Sequence, residues 1–294
     1  MLSACGSNSS EFPDPGNNDG GGGGGVDGGG TDPGGGGFGD GGLADSGGTK
    51  PECKHVLNAT IRDFRPCTPA RDGKCPDANY PEGHLDFEHY GANVPTPGIV
   101  KDTLGPDHKP QFIDATHLDP KDGNPQTTGA AQFAQWYNNT AGVNIAIPVP
   151  LTLTEKPVGS GHYRYENATF FPIDDKGKTK TGWGNGPTIK GTALHNFAFT
   201  TEMHLSFTYK GGEVFTFDGD DDLWVFIDNH LAIDLGGLHP SSHGEVKLDD
   251  FAKSHGLVKG TIYPMELFHA ERHTDKSDFV VDTTIECFDN PPIH

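Results

Sequence analysis

Between Asp218 and Asp222 the chain sets four carboxylates within five residues, Asp218-Gly219-Asp220-Asp221-Asp222. Carboxylates this crowded repel one another unless a cation neutralises them, and hard anionic oxygens suit Ca2+. A calcium site is therefore expected at Asp218, Asp220, Asp221 and Asp222. The run is not an EF-hand: counted from Asp218, Leu223 stands where the loop glycine belongs and Asn229 where the closing glutamate belongs. The bland alternative is a solvated acidic turn between two strands.

Other chemistry is weaker. Of the 15 histidines, His239 with His243 and His269 with His273 have i, i+4 spacing. That spacing makes a zinc pair only on a helix, and the second pair begins at the end of a predicted strand. No H-E-x-x-H and no G-x-S-x-G occurs. Glu271, across a loop from Asp222, has the residue type for an acid and base pair in glycoside cleavage. Nothing in the sequence sets their separation, so no catalytic residue is expected. Arg272 reads as an ion-pair partner or loop brace for Glu271.

The elements that must hold these residues are mostly strands. Phe197 and Phe199, then Met203, Leu205 and Phe207, alternate with polar neighbours, and Lys210-Gly211-Gly212 reads as a turn. Val214 to Phe217, Leu223 to Ile227, Leu231 to Leu235, Thr261 to His269 and Phe279 to Ile285 continue the series. Leu223 to Ile227 is apolar on both faces, as a central strand is. The expectation is an all-β, antiparallel sandwich with long loops. Toward the N-terminus the pattern predicts a strand over Val56 to Phe64, a strand pair within Val143 to Leu153, and one helix around Gly129 to Asn138. Phe133, Trp136 and Tyr137 share a face of that helix and read as packing. Pro66 to Pro125 reads as long loops.

Composition divides the chain. Residues 7–49 are dominated by Gly, Asp, Asn, Ser and Pro and have too few apolar side chains to offset chain entropy, so they read as a disordered stalk. Residues 50–294 hold all three Trp and most of the 18 Phe, enough for one substantial core. The net charge of −20 argues against nucleic-acid partners and against direct contact with anionic lipid. Cys53, Cys67, Cys75 and Cys287 form an even set compatible with three pairings. The favoured one joins Cys67 to Cys75 across a short loop and Cys53 to Cys287 between the first and last strands. Residues 1–6 resemble the remnant of a signal peptide: Leu2-Ser3-Ala4-Cys5 is similar to a bacterial lipobox, which predicts a lipid anchor on Cys5 and a place on the bacterial cell surface.

From Val56 to Phe288 the chain resembles the PA14 family of β-sandwich domains, and within it the fibro-slime branch. The resemblance rests on Asp220-Asp221-Asp222 leading through Leu223 to Ile227 into Asp228-Asn229, and on Ile61-Arg62-Asp63-Phe64, His84-Leu85-Asp86-Phe87-Glu88 and Gln135-Trp136-Tyr137. It continues in Asp234-Leu235-Gly236-Gly237-Leu238-His239 and Leu267-Phe268-His269-Ala270-Glu271-Arg272-His273-Thr274. In PA14 lectins, two successive aspartates joined by a cis peptide hold Ca2+, which in turn holds sugar hydroxyls. The resemblance implies Asp220 and Asp221 for that role, and a ligand-binding loop containing Glu271, Arg272, His273 and Asp278. Asp222 departs from the pattern, which has Gly there. The expected function is calcium-assisted binding of surface or matrix carbohydrate. A structural matrix or self-association module, with calcium bracing the loop, is the alternative.

Overall fold

The computed structural model describes residues 53, 55–64, 83–87, 90–91, 93–113, 118–174, 195–273 and 276–290. They belong to a compact unit spanning Lys50–His294. Cys5, the expected stalk and the expected Cys67–Cys75 pair lie outside the described residues.

The elements run β1 (Val56–Phe64), β2 (Val100–Leu104), β3 (Pro110–Phe112), α1 (Ala130–Phe133), β4 (Asn144–Thr152), β5 (Thr154–Glu155), β6 (Tyr163–Asn167) and β7 (Phe199–Thr208). They continue with β8 (Val214–Gly219), β9 (Asp222–Ile227), β10 (His230–Leu235), β11 (Ser242–Lys247), α2 (Leu248–His255), β12 (Ile262–Glu271) and β13 (Phe279–Thr283). An eight-stranded sheet has the order β3-β2-β10-β9-β12-β7-β1-β4, and a five-stranded sheet the order β11-β8-β13-β6-β5. The pairings are antiparallel, as expected of a sandwich.

Alternation decides which side chains meet. Met203, Leu205 and Phe207 of β7 join Phe215 and Phe217 of β8 and Phe279 and Val281 of β13 in the main core. Phe64, Trp224, Phe226 and Phe268 instead build a second cluster with Phe87, Phe133, Trp136 and Tyr137. The large sheet is thus covered on both faces, which is why all six residues of β9 are buried. The three aromatics assigned to packing do pack there.

Four expectations need correction. Pro66 to Pro125, expected as long loops, contains β2 and β3 of the large sheet. The described residues contain two helices, not one. The helix expected around Gly129 to Asn138 is a single turn, Ala130–Phe133, because Asn144 Nδ2 takes the carbonyls of Gln135 and Asn138, both at 2.8 Å. The strand pair expected within Val143 to Leu153 is one edge strand, β4, followed by the two-residue β5. Pro148 and Pro150 donate no backbone hydrogen bond, and an edge position tolerates that.

Cys53 and Cys287 are disulfide-bonded with Cα atoms 5.3 Å apart, as favoured from the sequence. The Asn58 N–H donates to Asn290 Oδ1 at 2.9 Å beside it, so both ends of the described domain meet at one pole. From there the nine residues of β1 run about 30 Å toward the other pole, at roughly 3.3 Å per residue. At that far pole β8 of the small sheet hands over to β9 of the large one, and the handover is Asp220-Asp221.

Candidate cation and ligand site

Asp220 and Asp221 cross from one sheet to the other. Asp221 has φ 55°, a left-handed conformation that Asp tolerates better than most residues. Its N–H donates to His239 O at 3.3 Å. Its Oδ2 accepts the N–H groups of Arg272 at 2.7 Å and His273 at 3.1 Å. Asp220 Oδ1 accepts the N–H of Asp278. The segment expected as a ligand-binding loop therefore does reach the acidic loop, but it does so through backbone donors from Arg272, His273 and Asp278.

Glu271 closes β12 and brings a third carboxylate to this place. It is 0% exposed, and its carboxyl lies beside Asp221 and the Ser277 hydroxyl without a hydrogen bond of good geometry to either. The Ser277 hydroxyl beside it is committed to Phe170 O at 2.8 Å. Burial, together with the charges of Asp221 and Asp220, pushes the Glu271 carboxyl well above the usual range. Asp220 is pushed up to about 6, chiefly by burial and against the donor from Asp278. Two acids that resist ionisation side by side, Asp220 and Glu271, are the kind of perturbed pair that clusters at functional sites.

The four aspartates expected together are divided. Asp218 faces outward from β8 and bonds His243 Nδ1 at 2.7 Å. Asp222 is fully buried and bonded to Arg272 Nε and to the Gly237 N–H, both at 2.6 Å. Only Asp220 and Asp221 stay with Glu271. Arg272 braces Asp222, not Glu271 as the sequence suggested, because the two residues lie on opposite sides of β12 once the strand alternates. Its guanidinium sits 4.6 Å above the Trp136 ring. The cis Asp220–Asp221 link implied by the resemblance is not formed: the cis bond among the described residues is Lys156–Pro157, and Asp221 turns through its positive φ instead.

The donor set is chemically suited to a hard divalent cation: carboxyl oxygens, two of them buried without a hydrogen bond of good geometry. Among the described residues no three acidic or histidine side chains already stand in coordination geometry. A cation would have to draw Asp220, Asp221 and Glu271 inward.

Sequence reasoning missed Asp86, Gln126 and the second duty of Trp136. Trp136 Nε1 donates to Asp86 Oδ2 at 3.0 Å, and the carbonyls of Gln126 and Asp86 accept Arg272 Nη1 at 2.8 and 3.3 Å. The available signal was that Asp86 and Trp136 both fall in segments that carry the family resemblance.

A two-sheet antiparallel sandwich with an acidic crossover between the sheets defines the class. Residues 151–286 match the PA14 domain family. It is 41% identical over 234 residues to protein psiD of Dictyostelium discoideum, covering 78% of this chain and 41% of that protein. To protein psiC of the same organism it is 39% identical over 207 residues, covering 70% and 39%. The chain thus spans about two fifths of the length of these relatives. It is also similar to the PA14 domain of MpAFP antifreeze protein, at 9% identity and a TM-score of 0.23 over 41% of this chain and 63% of that one.

Proposed function

We propose that this chain is an extracellular, non-catalytic module that binds surface or matrix carbohydrate, with Ca2+ held by Asp220 and Asp221 and closed from below by Glu271. The observation that carries the proposal is Glu271: its fully buried carboxyl, held beside Asp221 and Asp220, stays protonated by itself and becomes a carboxylate only where a cation comes to it. Bound calcium would supply a positive centre able to accept sugar hydroxyls. The chain's own part is to hold Asp221 with the N–H groups of Arg272 and His273, and Asp220 with that of Asp278. The PA14 match supports carbohydrate recognition and adhesion. The Cys53–Cys287 disulfide supports an oxidising, extracytoplasmic setting. A lipid tether at Cys5 would be its attachment to a membrane. Weak single sites would then act together through avidity on one surface.

The test is a glycan array probed with the full chain in calcium and again in EGTA. Calcium-dependent binding that Asp221→Asn abolishes supports the reading. Silence in both buffers, with calcium still raising the melting temperature, replaces it with the second reading, in which the ion only braces the loop. That second reading has its own support: Asp220 and Asp221 are each only 5% exposed, which leaves little of the site open to a sugar.

A further inference from the structure

Arg272 is fully buried, carries a permanent charge, and leaves Nη2 without a partner. If stability alone were at stake, an apolar pair of similar volume would serve as well as the buried Arg272–Asp222 pair. The rest of its contacts suggest what it gains. Nε is bonded to Asp222, Nη1 to the carbonyls of Gln126 and Asp86, and the guanidinium plane stacks on Trp136. Asp222 is itself fixed by the Gly237 N–H. That approach needs glycine: a Cβ at Gly237 would lie 2.9 Å from Thr96 and 3.1 Å from Gln126 Oε1, and its φ is 92°. Gln126 Oε1 also accepts the Leu238 N–H at 2.9 Å, so one glutamine grips both sides of the acidic loop's support.

We infer that Arg272 is a positioning residue for the acidic site: anchored to Asp222 and the Trp136 layer, it holds the end of β12 so that the N–H groups of residues 272 and 273 meet Asp221. This rests on the reading of Asp220, Asp221 and Glu271 as a cation site, and it adds that the aromatic layer containing Asp86, Gln126 and Trp136 is part of that site. Asp86, Gln126 and Trp136 themselves lie before residue 151, outside the segment matched to the PA14 family.

The test uses the full chain, the double variant Asp222→Leu/Arg272→Met, and Arg272→Lys. Amide hydrogen exchange in EGTA reads the positioning directly, and titration with calcium alone reads its consequence. In the double variant, protection of the amides at 272 and 273 should fall about tenfold or more while that of Leu205 and Leu267 in the paired core strands is kept. Calcium affinity should fall by about 10–100-fold, the usual loss when a ligand's supporting partner is removed. Arg272→Lys should recover part of both, and it decides the matter alone if the double variant does not fold. Unchanged protection at 272 and 273 with unchanged calcium affinity, in variants that fold, overturns the inference. If the unaltered chain ignores calcium, the cation reading fails, and hydrogen exchange still decides whether Arg272 positions the loop.

Discussion

At the pole where the chain enters the domain, Glu155, Glu213 and Glu286 each have a simple partner. Glu155 Oε1 accepts the Gly161 N–H at 2.9 Å, Glu213 accepts the N–H groups of Lys210 and Gly211, and Glu286 pairs with Lys210, each about half exposed. At the opposite pole Glu271 is buried with neither oxygen in a hydrogen bond of good geometry, and Asp220 is pushed up to about 6 by burial. Both poles are loops closing the same two sheets. One is arranged for stability, braced by a disulfide and by turns whose amides cap the carboxylates. The other holds groups that a merely stable fold would neutralise or remove, and local violations of that kind concentrate where proteins bind or react.

The contrast is most severely tested by Asp222→Ala. Removing the carboxylate leaves Arg272 charged and uncompensated in a fully buried place, and breaking one side of such a pair costs about 3–5 kcal/mol. Denaturant unfolding should show a loss of that size. A loss below about 1 kcal/mol would mean that Arg272 finds water or another partner, and the acidic pole would then be less enclosed than its burial indicates.

Cys53→Ser combined with Cys287→Ser acts on the other pole. Opening a cross-link between residues 234 apart in sequence should cost about 2–4 kcal/mol, mainly by freeing the unfolded chain. Because the poles are about 30 Å apart, the calcium-induced shift in melting temperature should be the same with and without the disulfide. A calcium response that disappears with the disulfide would show that the two poles are coupled.

How far these poles could be read in advance depended on the range of the signal. β1 was legible because its residues alternate locally, β9 because it is apolar throughout, and the Cys53–Cys287 pair because few cysteines leave few choices. β11 and α2 were not. Ser242–Lys247 buries only Gly244 and Val246, and Gly244 is there because a Cβ would come within 2.5 Å of Ile233 Cγ2. In α2 only Leu248, Phe251 and Ala252 are buried, too few to show a period. At the site, the crowding of Asp220 and Asp221 was visible, whereas the division of labour was not. Asp222 is matched to an arginine 50 residues away, and no local pattern announces that.

Asp220→Asn sharpens the comparison through pH. In the folded chain this carboxyl is held near 6, against an ordinary value of 3.8, so between those values the folded state binds more protons than the unfolded one. Its contribution to stability therefore falls as pH rises through about 4 to 6, and the full penalty stands above 6. At about 1.4 kcal/mol per unit it is of the order of 2–3 kcal/mol. His269, held down to about 3 by burial, works in the opposite direction over part of this range, so the raw pH profile is ambiguous and the variant is needed. In EGTA, Asp220→Asn should be the more stable protein at pH 7.5, with the gap closing below pH 4. Calcium should reverse the order, since only the unaltered chain gains from it. An equal gap at every pH would remove the burial argument for this carboxyl.

Lys210→Ala should be the mildest change. The Lys210–Glu286 pair is exposed on both sides, salt and water screen it, and pairs of that kind contribute about 0–1 kcal/mol. Glu286 would be left solvated, not stranded, and the Lys210 N–H would still reach Glu213, since that bond comes from the backbone. Unfolding should shift by less than about 1 kcal/mol, and calcium affinity not at all. The same loss of one partner is thus expected to be severe at one pole and minor at the other, and the cause is burial: charge is not what differs. If Lys210→Ala instead cost as much as Asp222→Ala, the entering pole would hold its acids as tightly as the far one, and the reason for assigning function to only one of them would be gone.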